Sequence, residues 1–291
     1  MMSYLCKISK NLLFVSVLLF AFACSKKESS NSVCHLNASL KSKKYDEVCF
    51  LMTHNAMNNI EKGYSVPNQS LSVTNQLNNC VRGLMIDTYD GDNGIALTYH
   101  AVPIFGQQKL VDVLQEVKDF LNANSDEIVT IIFENNGSNA QLIKAIDSIG
   151  LDDLCYVRSG STWPTLQTMI DANKRLVCFV ERVKTPTTNY LNYAWSTIFD
   201  TKYSYQNINE FDSDVNRGGG GTRQLYLVNH WLQTSLGLPD KNLAPQANTR
   251  AVIGKRVQDC ATTNHHFINF LGVDFFDIGD ARAVVDSING V

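Results

Sequence analysis

Apolar residues in this chain fall into runs that predict strands and helices in alternation. Strand-length apolar runs lie at 49–54, 81–100 (two strands), 128–134, 175–182, 224–231 and 267–276. Helices are predicted at 109–122, 140–148, 165–172, 248–259 and 281–288. This alternation over about 250 residues favours an α/β fold with a mostly parallel sheet.

The stretch 81–100 predicts two short strands joined by a turn rich in glycine and asparagine. The two-residue period of the first strand places Met85, Asp87 and Tyr89 on one face. The second strand ends at His100. An acid within one buried strand and an imidazole at the end of the next suggest a functional site.

Several other predicted strands also end in polar residues. The polar residues at or near strand ends are His54, Asp87, Tyr89, His100, Glu134, Arg182, His230 and Asp274. A barrel explains such a distribution better than a doubly wound sheet, because the carboxyl ends of all its strands meet at one face. With no internal repeat and no break for a second domain, the chain is predicted to form one (β/α) barrel.

Two histidines at strand ends suggest acid–base chemistry. Imidazole titrates near neutral pH, so His54 and His100 could act as general base and general acid on a phosphodiester. Asp274 is a candidate for orienting one of them. The alternative is that each is a structural histidine with satisfied hydrogen bonds.

Asn55, Asp87 and Glu134 bring three oxygen donors to neighbouring strand ends. Hard cations such as calcium prefer such ligands. A hydrogen-bond network without an ion is the alternative.

The N-terminus predicts export. Lys7 and Lys10 precede an apolar run that ends in Ala21-Phe22-Ala23 before Cys24, which indicates a signal peptide at 1–23. The small residues before Cys24 resemble a bacterial lipobox, so Cys24 is predicted to carry a lipid anchor, with 24–33 as a polar tether. The alternative is an unanchored periplasmic or secreted protein. Cleavage would leave a net charge of about −5, which argues against a nucleic-acid partner.

The cysteines of an exported chain can form disulfides. Cys34 is predicted to pair with Cys49 and to tie the N-terminal segment to the first strand. Cys178 lies in an apolar strand and is predicted to be a free core thiol. The absence of C-x-x-C spacing in the sequence argues against a zinc site.

The motifs MTHNAMN, CVRGLMIDTYD, TYH, IVTIIFEN and LGVDFF resemble the X domain of phosphatidylinositol-specific phospholipases C. The resemblance runs from residue 49 to the C-terminus, and domain 34–291 is therefore expected to be a distorted TIM-type (β/α)8 barrel. It implies a phospholipase C-type phosphodiesterase that cleaves a phosphatidylinositol-like substrate by intramolecular attack. His54 would be the general base, His100 the general acid and Asp274 the acid that orients a catalytic histidine.

The resemblance also extends to ligands and partners. Asn55, Asp87 and Glu134 match calcium ligands of the calcium-dependent relatives. Met85 stands where those relatives have a glutamate, so the predicted Ca²⁺ site is weakened. We further expect Arg182 and Tyr89 to contact substrate, and the protein to be a monomer that acts on a phospholipid or inositol phosphodiester at a membrane surface.

Two alternatives follow from the same residues. One is a glycerophosphodiester phosphodiesterase or phospholipase D-like enzyme on the same fold, although such enzymes tend to keep an E-x-D pair where this chain has M-I-D. The other is a catalytically inactive lipoprotein that binds a lipid or its head group.

Overall fold

A curled nine-stranded sheet forms the centre of the protein, which a computed structural model describes over residues 34–182 and 187–291. The sheet order is β7-β6-β5-β2-β1-β11-β10-β8-β9, and every neighbouring pair is parallel except β8–β9. β3 and β4 form a separate antiparallel pair. The strands are β1 (Phe50–Thr53), β2 (Gly83–Thr88), β3 (Leu97–Thr98), β4 (Gln108–Lys109), β5 (Val129–Asn135), β6 (Leu176–Val180), β7 (Leu191–Tyr193), β8 (Ile198–Thr201), β9 (Val215–Arg217), β10 (Leu225–His230) and β11 (Phe270–Val273).

Helices follow five of these strands along the chain, namely β1, β4, β5, β10 and β11. The helices are α1 (Val73–Asn78), α2 (Leu110–Ala123), α3 (Asn139–Asp147), α4 (Leu166–Asp171), α5 (Ala244–Ala247), α6 (Arg250–Asn264) and α7 (Ala281–Asn289). The described residues form one compact unit, and the predicted single-domain α/β barrel is confirmed. The sequence shows no clear period over 185–216, and β7, β8 and the start of β9 lie in this region.

The two faces of the sheet pack into two separate apolar cores. Along β1, Phe50 and Met52 belong to a cluster inside the barrel, whereas Leu51 belongs to a cluster that includes the apolar face of α2. β6 shows the same alternation, with Phe179 inside and Cys178 outside. Side chains on successive strand residues point to opposite faces, so both faces of these parallel strands are buried.

The N-terminal disulfide joins Cys34 to Cys80, so the predicted Cys34–Cys49 pair is wrong. The backbone amide of Cys34 donates to the carbonyl of Asn78, 3.0 Å away, which places the segment beside the end of α1. Cys49 instead points into the outer core, where it is a buried free thiol. Cys178 is also buried and free, as predicted.

The predicted signal peptide (1–23), the tether (24–33) and the lipid-anchored Cys24 lie outside the described residues, which begin at Cys34, the predicted start of the barrel domain. Within 34–182 and 187–291, no helix is both long and apolar enough to cross a membrane.

Candidate active site

A cavity of about 300 Å³ opens at the carboxyl ends of the parallel strands. Six of the residues predicted for the site line it: His54, Asn55, Asp87, His100, Glu134 and Asp274. The predicted convergence of strand ends therefore occurs in the fold. Met85 and Ile132 also line the cavity, one on each of two neighbouring strands.

His54 and Asp274 meet because their strands are neighbours in register. Thr53 pairs with Val273 across β1 and β11, so the next residue of each strand emerges at the same level. Nδ1 of His54 donates to Oδ1 of Asp274 at 2.9 Å. The aspartate side chain is 6% exposed and the histidine 20%. With Nδ1 held by the carboxylate, Nε2 of His54 is left to accept a proton in the cavity.

Asn68 and Trp231 complete the surroundings of His54. The amide nitrogen of Asn68 donates to both carboxylate oxygens of Asp274, each at 3.1 Å. The ring of Trp231 stacks on the imidazole with centroids 3.9 Å apart and planes 9° apart. Both contacts restrict the orientation of the histidine. Asn68 lies in an aperiodic polar loop, where the sequence carries no signal for this role.

His100 has its own carboxylate partner in Asp87. Nδ1 of His100 donates to Oδ2 of Asp87 at 3.1 Å, and the side-chain nitrogen of Asn55 lies 3.0 Å from the same ring nitrogen. Burial lowers the pKa of His100, but the hydrogen bond and the charge of Asp87 outweigh it, and the pKa is raised overall. Burial raises the pKa of Asp87 more than His100 lowers it. The raised pKa of His100 favours a protonated imidazole at neutral pH.

The two imidazoles face each other across the cavity. Their ring centroids lie 6.3 Å apart at an interplanar angle of 73°. Each has a buried carboxylate on Nδ1, so Nε2 of one can accept a proton while Nε2 of the other donates one. This is the arrangement that general base and general acid catalysis at one centre requires.

His230, also at a strand end, has a structural role. It is fully buried, and its Nε2 donates to the carbonyl of Ala247 at 2.9 Å. Burial lowers the pKa of His230 to about 4, which keeps the ring neutral.

The three predicted calcium ligands line the cavity but are already engaged. Asp87 accepts from His100, the amide nitrogen of Asn55 lies against His100, and Glu134 pairs with Arg182 at 2.5 Å. Among the residues that the structure describes, no group of three or more His, Cys, Asp or Glu is arranged to hold a metal ion. The donor oxygens suit calcium chemically, but their arrangement is only a partial ligand set.

Arg182 and Tyr89, predicted to contact substrate, are not among the residues that line the cavity. Arg182 reaches Glu134 from the rim, and Tyr89 stacks on Tyr99 with centroids 3.8 Å apart. Their role stays a prediction. The neighbour of Arg182, Glu181, lines the cavity instead.

Arg217, Glu181 and Tyr203 form the opposite wall of the cavity, and the sequence did not indicate them. Arg217 donates to Glu181 at 2.8 Å and to Asp200, and its guanidinium lies 5.0 Å from the ring centroid of Tyr203. Burial raises the pKa of Glu181 to about 8, because the charge of Arg217 only partly offsets the desolvation, and the nearby carboxylates of Glu134, Asp200 and Asp87 raise it further. The wall thus offers one cation, one readily protonated acid and one aromatic face.

Comparisons with known proteins agree on the family. The family model described as PI-PLC X matches residues 40–289. A PI-PLC X domain-containing protein of Arthroderma benhamiae is 28% identical over 89% of this chain and 90% of its own length. One from Arabidopsis thaliana is also 28% identical, over 84% of this chain and 62% of its own length. The phosphatidylinositol-specific phospholipase C of Listeria monocytogenes has a similar fold, with a TM-score of 0.61 over 86% of this chain and 94% of its own at 16% identity.

Proposed function

Since the chain belongs to the PI-PLC X domain family, we propose that it is a phosphodiesterase of phospholipase C type that cleaves a phosphatidylinositol-like lipid. One observation carries this proposal. Two imidazoles, each held at Nδ1 by a buried carboxylate, face one cavity with centroids 6.3 Å apart.

In the proposed reaction the substrate supplies its own nucleophile. Nε2 of His54 takes the proton of the 2-hydroxyl of the head group, and that oxygen attacks the phosphorus. The bond from phosphorus to the diacylglycerol oxygen breaks, and His100 donates its Nε2 proton to the departing oxygen. The products are a cyclic phosphodiester and diacylglycerol. Asp274 holds His54 in the tautomer with a free Nε2, and Asp87 raises the pKa of His100, which favours the protonated imidazole.

The wall opposite the histidines suits a polyol head group. Glu181 and Arg217 offer an acceptor and donors for hydroxyls, and Tyr203 offers a flat face for a ring. Arg182 stays part of the proposal through its pair with Glu134 at the rim. These groups would distinguish an inositol-like head group from a small alcohol.

Calcium is a separate part of the proposal, and no step above depends on it. Asn55, Asp87 and Glu134 would hold the ion, which would offset negative charge on the phosphoryl oxygens. Calorimetry of the protein with calcium tests this directly. No heat of binding at millimolar calcium would remove the ion from the proposal.

Export is proposed from the signal-like N-terminus and is supported by the Cys34–Cys80 disulfide. Disulfides persist in oxidising compartments and are rare in the cytosol. Anchoring through Cys24 remains the proposed attachment, with a secreted protein as the alternative.

The test of the activity is release of a water-soluble phosphate ester from phosphatidylinositol vesicles, with and without a calcium chelator. We expect a cyclic ester from the wild type, and loss of its release in H54A and in H100A. The matched control is H265N, because His265 is exposed and its φ of 50° is a conformation that asparagine tolerates. Binding of an inositol phosphodiester without turnover would support a binding protein instead.

A further inference from the structure

Two free cysteines lie side by side in the outer core. Sγ of Cys155 is 3.9 Å from Sγ of Cys178, and both residues are fully buried. The structure holds both as thiols. Cys49 and Cys260 are buried thiols too, but in the described part of the chain neither contacts another sulfur atom. Cys155 and Cys178 therefore form a pair, whereas the other two thiols are single.

Strand pairing brings the two side chains together. Cys178 is the third residue of β6, which pairs with β5 on one side and with β7 on the other. Cys155 forms a parallel bridge with Leu176, and the amide of Tyr156 donates to the carbonyl of Leu176 at 2.7 Å. Residues two apart on a strand point to the same face, so Leu176 and Cys178 share the face that Cys155 meets. The contact is thus set by the backbone of the sheet.

Only a small movement separates the two thiols from a covalent bond. The sulfur atoms of a disulfide lie about 2.0 Å apart, so each sulfur would have to move by about 1 Å. β6 is fixed by its two neighbouring strands. Cys155 instead ends a short 3₁₀ helix (Asp152–Leu154), and its thiol donates to the carbonyl of Leu151 at 3.6 Å. The Cys155 side can therefore supply the shift, at the loss of one weak hydrogen bond.

We propose that Cys155 and Cys178 form a second disulfide when the chain folds in an oxidising compartment. This inference rests on the proposed export. The oxidant is a disulfide, either oxidised glutathione or the disulfide of a thiol oxidoreductase. One cysteine thiolate attacks that disulfide and forms a mixed disulfide, and the other thiolate attacks the cysteine sulfur and closes the bond. Two electrons pass to the oxidant, which leaves as two thiols with the two protons.

The bond would hold a strand that contributes to the cavity. Cys178 lies three residues before Glu181, which lines the cavity. Cys155 lies in the segment that follows α3, and the two cysteines are 23 residues apart in the sequence. A bond between them restricts the unfolded chain and so stabilises the folded protein. Because both sulfurs are buried, the bond forms during folding, while the thiols are still accessible.

Peptide mapping without reduction tests the proposal in the exported full chain, which is first denatured with an alkylating agent and then digested with trypsin. The six cysteines that follow Cys24 each lie in a separate tryptic peptide, so every bond has its own mass. We expect peptide 145–158 linked to peptide 176–182, with Cys49 and Cys260 alkylated. The link between Cys34 and Cys80 is the positive control.

The same mapping after reduction and refolding in a glutathione buffer separates this proposal from that of export. In either sample, alkylation of Cys155 and Cys178 in a chain that contains the Cys34–Cys80 link would overturn the second disulfide. A refolded chain with neither link, or with Cys155 linked to Cys49, would overturn it as well. Both links after refolding, but neither in the exported chain, would support the pair and remove the proposed export.

Thermal unfolding with and without a reductant measures the contribution of the bond. In a C34S/C80S chain the proposed bond is the one left to reduce, and its reduction should lower Tm by about 5–10 °C. The matched control is C34S/C80S/C155A, which keeps Cys178 but cannot form the bond, so a reductant should leave its Tm unchanged. No effect of the reductant on the first chain, or an equal effect on both, would overturn the proposal.

Discussion

Replacing Asp274 by asparagine tests how His54 is held. The aspartate accepts one hydrogen bond from His54 at 2.9 Å and two from Asn68 at 3.1 Å. An asparagine has the same shape and can still accept from Asn68. Its amide nitrogen then faces Nδ1 of His54, which must become an acceptor, so the ring proton moves to Nε2. The imidazole stays in place but can no longer take a proton from the substrate.

The size of the effect follows from this change of tautomer. The corresponding aspartate-to-asparagine change in a serine protease triad lowers kcat by about 10⁴. We expect D274N to lower kcat by about 10³ to 10⁴, which corresponds to about 4–5.5 kcal/mol of transition-state stabilisation. The free energy of unfolding should change little, because the substitution conserves volume and keeps one of the two hydrogen bonds from Asn68.

The assay is release of soluble phosphate ester from phosphatidylinositol, together with chemical denaturation of the same samples. D277N is the matched control, because Asp277 is exposed and lies three residues further along the chain. A D274N protein that keeps more than about a tenth of wild-type kcat would refute the assignment of Asp274. Equal losses in D274N and D277N would do so as well.

Three further predictions concern the second histidine, the disulfide and the ion. In D87N the pKa of His100 should fall, because the carboxylate that raises it is gone. The alkaline limb of the pH–rate profile should therefore move to lower pH, and an unchanged limb would contradict the role of Asp87. C34S and C80S should each lower the free energy of unfolding by about 4 kcal/mol, from the entropy of a 46-residue loop, and the double variant by no more than either; additive losses measured by denaturation would be inconsistent with one shared bond. Weak calcium binding should be reduced in E134Q, and equal calorimetric titrations of both proteins would exclude Glu134 as a ligand.

The sequence predicted the residues that lie on regular strands. The apolar runs of β1, β5 and β11 are long enough to indicate buried parallel strands, and polar residues that follow them must emerge at one face. His54 and Asp274 meet for this reason, since Thr53 and Val273 are paired. For the same reason Asp87 and Glu134 are direct neighbours across β2 and β5.

Residues whose position depends on irregular segments could not be predicted in this way. Asn68 lies in a loop without a period, and Arg217 reaches the cavity through a bulged antiparallel pairing of β8 with β9. Adjacent residues of a strand point to opposite sides, so only one of Arg182 and Glu181 can face the cavity. The apolar run does not show which of the two does so. Phe179 faces the barrel interior, so Glu181, two residues later, turns toward the cavity.

The acidic side chains of the cavity bear both on the protonation of its other groups and on whether a cation binds there. Four carboxylates line it, those of Asp87, Glu134, Glu181 and Asp274, against one permanent positive charge on Arg217. Glu134 contributes to the raised pKa of Asp87 and of Glu181. A phosphodiester brings one more negative charge, so its binding favours the uptake of a proton or a cation.

A proton on Glu181 or on His100 supplies part of the compensating positive charge, since both groups have raised pKa values. Calcium bound at Asp87 and Glu134 would supply positive charge without the uptake of a proton. If protons suffice, substrate affinity should fall as the pH rises through about 8, the pKa of Glu181, whether or not calcium is present. If calcium meets the need, the same pH dependence should appear only with a chelator, so KM measured across this range with and without chelator separates the two.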